Sequence, residues 1–175
     1  MGSRRGPPSL LARIVRTTLL DTGPIVGWLR AGDPDHGASV AALIAAGSRG
    51  SLATIWEVIG EAYTVIRYRA DAEAARRVLD WADTVDRIPV DDLDHSRTHA
   101  LLRRHRDLRI SYVDALLLAV AERRKADEVL TLDAELRAVK LRPSPVVTVL
   151  SGAAAAHQLE PRAVAAQPVE SPSGA

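Results

Sequence analysis

The apolar positions of this chain change their period repeatedly, and that alternation limits the folds open to it. Runs of strand length occur at Thr17-Thr18-Leu19-Leu20, Ser51-Leu52-Ala53, Arg87-Ile88-Pro89-Val90, Glu128 to Leu132 and Val146 to Leu150. Between them the apolar residues return every three or four positions, over Thr22 to Arg30, His36 to Ala46, Ile55 to Arg69, Ala72 to Thr84, Asp92 to Arg106 and Tyr112 to Lys125. Such spacing predicts helices. Strands that alternate with helices imply an α/β fold in which a parallel sheet is covered on both faces.

At 175 residues the chain suffices for one domain with its own core, and it contains no internal repeat. Phe is absent, so that core must be built from Leu, Val, Ile and Ala. Residues 1–16, rich in Gly, Pro, Ser and Arg, read as a flexible N-terminal extension, and residues 151–175, rich in Ala and Pro without a period, as a disordered tail. The fold is expected over 17–150. No run approaches the length of a membrane span, and a cytoplasmic location is expected.

Charge composition narrows the chemistry. There is no cysteine, so a thiolate metal site is excluded and any metal would be held by oxygen or imidazole. A formal net charge of +1 does not by itself announce a nucleic-acid binder. Basic residues gather at Arg103, Arg104, Arg106 and Arg109 and at Arg123, Arg124 and Lys125, where phosphate contact or a merely solvated face would look alike. The histidines, at 36, 95, 99, 105 and 157, have neither metal-ligand nor triad spacing, and His95 and His99 read as one helix face.

The acids are more informative. Ligands of an open parallel sheet bind beyond the carboxyl ends of its strands. Asp21 follows the first strand directly, Asp133 ends Val129-Leu130-Thr131-Leu132, Asp114 opens the helix beginning near Tyr112, and Glu61 lies on the Ile55 to Arg69 helix with Glu57 one turn earlier. Each has a structural reading: Asp21 and Asp133 as N-caps, Ser111 with Asp114 as a capping box, the two glutamates as solvated side chains. Capping, however, does not require several acids at one edge of one sheet. Carboxylates crowded there repel unless a cation offsets them, and ligation by oxygen alone suits Mg²⁺ or Mn²⁺. A divalent ion so held activates water and offsets charge on a leaving oxygen, which is what phosphodiester hydrolysis demands.

Four segments, taken in order, resemble the PIN-domain nucleases and, within them, the VapC-type toxins of bacterial toxin-antitoxin pairs. They are Leu19-Leu20-Asp21-Thr22-Gly23-Pro24-Ile25-Val26, Glu57-Val58-Ile59-Gly60-Glu61-Ala62-Tyr63, Ile110-Ser111-Tyr112-Val113-Asp114-Ala115-Leu116-Leu117-Leu118-Ala119, and Val129-Leu130-Thr131-Leu132-Asp133. The resemblance covers about residues 17 to 150. It implies a doubly wound sheet, mainly parallel, and a Mg²⁺-dependent endoribonuclease. Asp21, Asp114 and Asp133 match the first, third and fourth acids of the family. Glu61 is favoured as the second acid, Glu57 is a second choice that assists, and Thr131 matches a supporting hydroxyl. The resemblance further implies a homodimer and a small antitoxin partner whose C-terminal segment covers the acidic cleft. Leu136 stands where such proteins often carry an aromatic residue.

Other readings are a housekeeping RNA-processing nuclease, a catalytically silent scaffold that binds protein or RNA, and phosphoryl transfer through an aspartyl intermediate. The last is disfavoured because Gly23 stands where a second Asp is generally needed and lysine is almost absent.

Overall fold

The computed structural model describes residues 16–142 and 144–150. Apart from Arg16, the expected extension and tail lie outside the described residues. Among these, strands β1 (Arg16–Leu20), β2 (Gly50–Thr54), β3 (Asp86–Arg87), β4 (Glu128–Thr131) and β5 (Val146–Val149) form one sheet in the order β3-β2-β1-β4-β5. Every neighbouring pair is parallel, so the sheet is wholly rather than mainly parallel. The connections are helices α1 (Thr22–Leu29), α2 (His36–Arg49), α3 (Trp56–Arg69), α4 (Ala72–Ala82), α5 (Asp92–Arg104) and α6 (Tyr112–Arg124), with a short 3-10 helix at Ala134–Ala138.

The central strands are the most apolar. Leu19 and Leu20 of β1 and Val129 and Leu130 of β4 are buried, as a strand covered on both faces requires. Helix α6 is buried without interruption from Ala115 to Glu122, which suits a helix packed on all sides. Helix α4 shows the opposite pattern: Ala74, Ala75, Val78, Trp81 and Ala82 form one buried stripe, and Asp71 caps the first turn through the amide of Ala74.

Helices α5 and α6 are clasped by charge. The Asp94 carboxylate, fully buried, accepts two 2.6 Å bonds from Nε and Nη2 of Arg123, which also lies 3.0 Å from Asp91. Burial alone would raise the Asp94 carboxyl, but the Arg123 bond and the Asp91 amide outweigh it and hold it below the usual carboxylate range. Arg97 pairs with Glu122 in the same interface. Arg123 is therefore an internal ligand, not part of a free basic cluster, while Lys125 closes α6 in the left-handed conformation with φ 55°.

One expectation needs correction. The strand read over Arg87 to Val90 is confined to Asp86 and Arg87. Ile88 still donates its amide to the Thr54 carbonyl at 2.8 Å, but Pro89 has no N–H and the ladder stops there. The helix that the N-cap reading of Asp133 implied is present as a single short 3-10 helix, too short to leave a period of its own in the sequence.

Between β1 and β4 the strand order reverses. The chain first builds outward through β2 and β3, then crosses back to β4 and β5. The crevice at such a reversal, beyond the carboxyl ends of the two strands, is where a doubly wound sheet accepts ligands.

Candidate functional site

Asp21 leaves β1 at that crevice. Its amide continues the ladder with a 3.0 Å bond to the Leu130 carbonyl, which pins the residue against β4. As N-cap of α1 its Oδ1 accepts the Thr22 amide at 2.7 Å, and Pro24 falls in the first turn of the helix, where a missing N–H costs nothing. Gly23 allows the close approach: a Cβ there would fall 2.9 Å from Cβ of Leu132. Oδ2 of Asp21 accepts the hydroxyl of fully buried Thr131 at 2.6 Å.

With 5% of its surface exposed, Asp21 is hard to ionise. Burial is the main cause, the Thr131 bond opposes it, and the charges of Asp114 and Glu61 add to it; the carboxyl is pushed up to about 6. Acids 40 and 93 positions away therefore act on Asp21 through space.

The other acids are positioned by local bonds. Glu61, on the second turn of α3, accepts the Thr22 hydroxyl at 2.6 Å. Asp114 is the third residue of α6 and completes a capping box, its Oδ2 accepting the Ser111 amide at 2.7 Å while Ser111 Oγ accepts the Asp114 amide at 3.1 Å. Asp133 caps the 3-10 helix through the Glu135 amide at 2.8 Å and donates its own amide to Thr131 Oγ1 at 2.9 Å. One hydroxyl thus links Asp21 to the Asp133 backbone. Glu57, one turn before Glu61, has Oε2 enclosed without a hydrogen-bond partner among the described residues.

The structure brings Asp21, Glu61 and Asp114 into one electrostatic basin and ties Asp133 to it through Thr131. Among the described residues no three Asp, Glu or His side chains converge closely enough to hold a metal ion as they stand. The two observations are compatible, because charge acts over longer distances than ligation and the carboxylates of Asp114 and Asp133 are turned to backbone amides. An oxygen-only donor set with a buried, charge-frustrated carboxylate fits a hard cation that retains several waters, such as Mg²⁺. Thr22 is the residue the sequence did not single out: adjacency to Asp21 was visible, but its bond to Glu61 depends on the packing of α1 against α3.

Fold and site together define a class: a doubly wound parallel sheet with carboxylates gathered near the point where its strand order reverses. The PIN domain family model matches residues 18–141, and the chain belongs to that family. No curated protein matches it. Among solved structures, the fold is shared with VapC20 of Mycobacterium tuberculosis, described as a Sarcin-Ricin loop cleaving toxin, at 22% identity and a TM-score of 0.63 over 71% of this chain and 95% of that one. VapBC2 of Rickettsia felis, bound to a promoter DNA fragment, matches at 15% identity and a TM-score of 0.61 over 77% of this chain and 99% of that one. VapBC-1 of nontypeable Haemophilus influenzae matches at 12% identity and 0.55, over 76% and 97%. Leu136, in place of the expected aromatic, is fully buried and fills the core beneath the 3-10 helix.

Proposed function

We propose that this chain is a divalent-metal-dependent endoribonuclease, the toxin of a type II toxin-antitoxin pair. The observation that carries the reading is the buried carboxyl of Asp21, set at the reversal of the sheet and held up to about 6 in a field that includes Asp114 and Glu61. Asp21, Glu61, Asp114 and Asp133 would hold Mg²⁺ or Mn²⁺, directly or through water. When bound, the ion supplies Lewis acidity toward the phosphate and a nucleophile at neutral pH.

The chain's own residues prepare that site. Thr131 orients Asp21, Thr22 orients Glu61, and Ser111 orients Asp114, so each carboxylate is fixed by a neighbour. Arg103, Arg104, Arg106 and Arg109 are exposed on the end of α5 and the following loop and form no ion pair among the described residues. The Arg109 amide is bonded to Glu135, two residues past Asp133, which ties this basic segment to the rim of the cleft. Phosphate contacts of that kind supply most sequence-independent RNA affinity. A small antitoxin that covers the cleft, and a homodimer, belong to the same reading.

The test is cleavage of RNA with Mg²⁺, with chelator, and with Asp114→Asn. Asn can still accept the Ser111 amide but is a poor ligand for a hard cation. Cleavage that requires the metal and falls to background in D114N, with stability changed by no more than about 1 kcal/mol, supports the reading. Full activity in D114N refutes the role given to Asp114. A silent scaffold is the second reading, favoured by the capping bonds that engage Asp114 and Asp133; it requires no metal-dependent cleavage at all. An adjoining short gene for a DNA-binding antitoxin would separate a toxin from a housekeeping nuclease.

A further inference from the structure

We infer that Trp56 is a stacking platform for an unpaired nucleobase of the RNA strand that reaches the acids along the carboxyl edge of the sheet, an inference that rests on the nuclease reading. Of the three tryptophans, Trp28 and Trp81 pack edge-on against each other with ring centroids 5.8 Å apart, whereas Trp56 is 55% exposed. It opens α3, two residues beyond the end of β2, and therefore stands on the carboxyl edge of the sheet. Leu19 is in register with Ala53, and the Thr54 hydroxyl bonds the Leu20 carbonyl at 2.8 Å, so the chain leaves β1 at Asp21 and β2 at Ile55 side by side. From Trp56 to Glu61 the rise along α3 is about 7.5 Å. The ring and the acids thus lie along the same carboxyl edge of the sheet, the ring on the side of β2 and β3 and the acids toward β1 and β4, with Trp56 and Glu61 about 140° apart around α3.

A second residue holds the ring in place. Arg87, in register with Thr54 across β2 and β3, sets its guanidinium 5.3 Å from the indole centroid. That guanidinium is itself anchored to the Ala82 carbonyl and to Asp83. The cation covers one face of the indole and leaves more than half of the residue in solvent. Tyr68 is more exposed still at 86%, but it lies near the far end of α3, about 18 Å along the helix, where no acid of the cleft is found. An aromatic ring backed by a cation, at the sheet edge that carries the acids, complements a base flanked by its own phosphates, and stacking of this kind tolerates any base.

The experiment titrates a short single-stranded RNA into the protein in chelator, so that nothing is cut, and follows tryptophan emission. It then measures cleavage in Mg²⁺ for the wild type, Trp56→Ala and Trp56→Phe. Expected are RNA-induced quenching and protection from acrylamide in the wild type, loss of both in W56A and W56F, and a KM raised about tenfold in W56A but nearly normal in W56F. The wild-type acrylamide protection reads the platform even if W56A folds poorly. W56A that binds and cleaves as the wild type does overturns the platform and leaves the nuclease standing. Wild type that neither binds nor cleaves RNA overturns both. A change confined to self-association or to capture of a protein partner assigns the ring to a protein contact and overturns the inference.

Discussion

Thr131 and Asp21 stand 110 positions apart in the chain and meet through a 2.6 Å hydrogen bond, hydroxyl to carboxylate, with the threonine wholly buried. The same oxygen accepts the Asp133 amide at 2.9 Å. This atom donates to one candidate ligand and accepts from the backbone of another, and it opposes the burial that makes Asp21 hard to ionise.

Thr131→Val keeps the shape of the side chain and removes both bonds. The buried Asp21 oxygen then has no donor, at a cost of about 1–3 kcal/mol in urea unfolding. Because the lost bond favours the charged form, the Asp21 carboxyl should rise further and the acid limb of cleavage at limiting Mg²⁺ should move to higher pH. Thr131→Ser, which restores the hydroxyl, should recover the limb; an unmoved limb in T131V would remove the positioning role.

Asp21 also sets a pH dependence of stability in chelator. Its folded value, about 6, lies above the 3.8 of a free carboxyl, so between these values the native chain holds the extra proton. The stabilising contribution is complete below about pH 3.8 and is lost as pH rises through about 6, a span of roughly 3 kcal/mol. Asp94 and Glu122, both held low, act with the opposite sign and lose their contribution as pH falls, so the effect is read as the difference between wild type and Asp21→Asn. That difference should be near zero at pH 4 and favour D21N at pH 7. Mg²⁺ should raise the wild-type melting temperature at pH 7, do so less at pH 5, and leave D21N unmoved.

Arg123→Ala strands the buried Asp94 carboxylate without its counter-charge. The melting temperature should fall on the order of 10 °C. Arg123 lies in the last turn of α6, the end opposite Asp114, so cleavage per folded molecule at low temperature should be nearly preserved. Scanning calorimetry and an assay below the transition check the two halves; a selective loss of activity would place Arg123 in the substrate path.

Much of the architecture could be read before folding because its causes are local. Six helices and four of the strands follow apolar periods, and the caps at Asp21, Ser111 and Asp133 stand where the chain leaves a strand or loop. What escaped reading was set by neighbours or by a single atom. β3 shrank because Pro89 lacks an N–H, and the helix after Asp133, signalled only by its cap, is too short to show a period. At the site, Asp21, Asp114 and Asp133 were visible at strand and helix ends, and Glu61 as an acid within a helix. Their orientation was not: Asp114 faces the Ser111 amide, and Glu61 rather than Glu57 receives the Thr22 hydroxyl. The first follows from capping-box geometry and the second from how α1 meets α3, which no spacing records.

The pairing of β1 with β4 also sets a clock on biosynthesis. Thr18 waits for a register partner, Glu128, made 110 positions later, and until that strand docks Asp21 is an ordinary hydrated side chain. A nascent or truncated chain that stops short of β4 has no such pocket, so the burial and the hydrogen bond that set the Asp21 carboxyl arise only after the residues through Thr131 have been made.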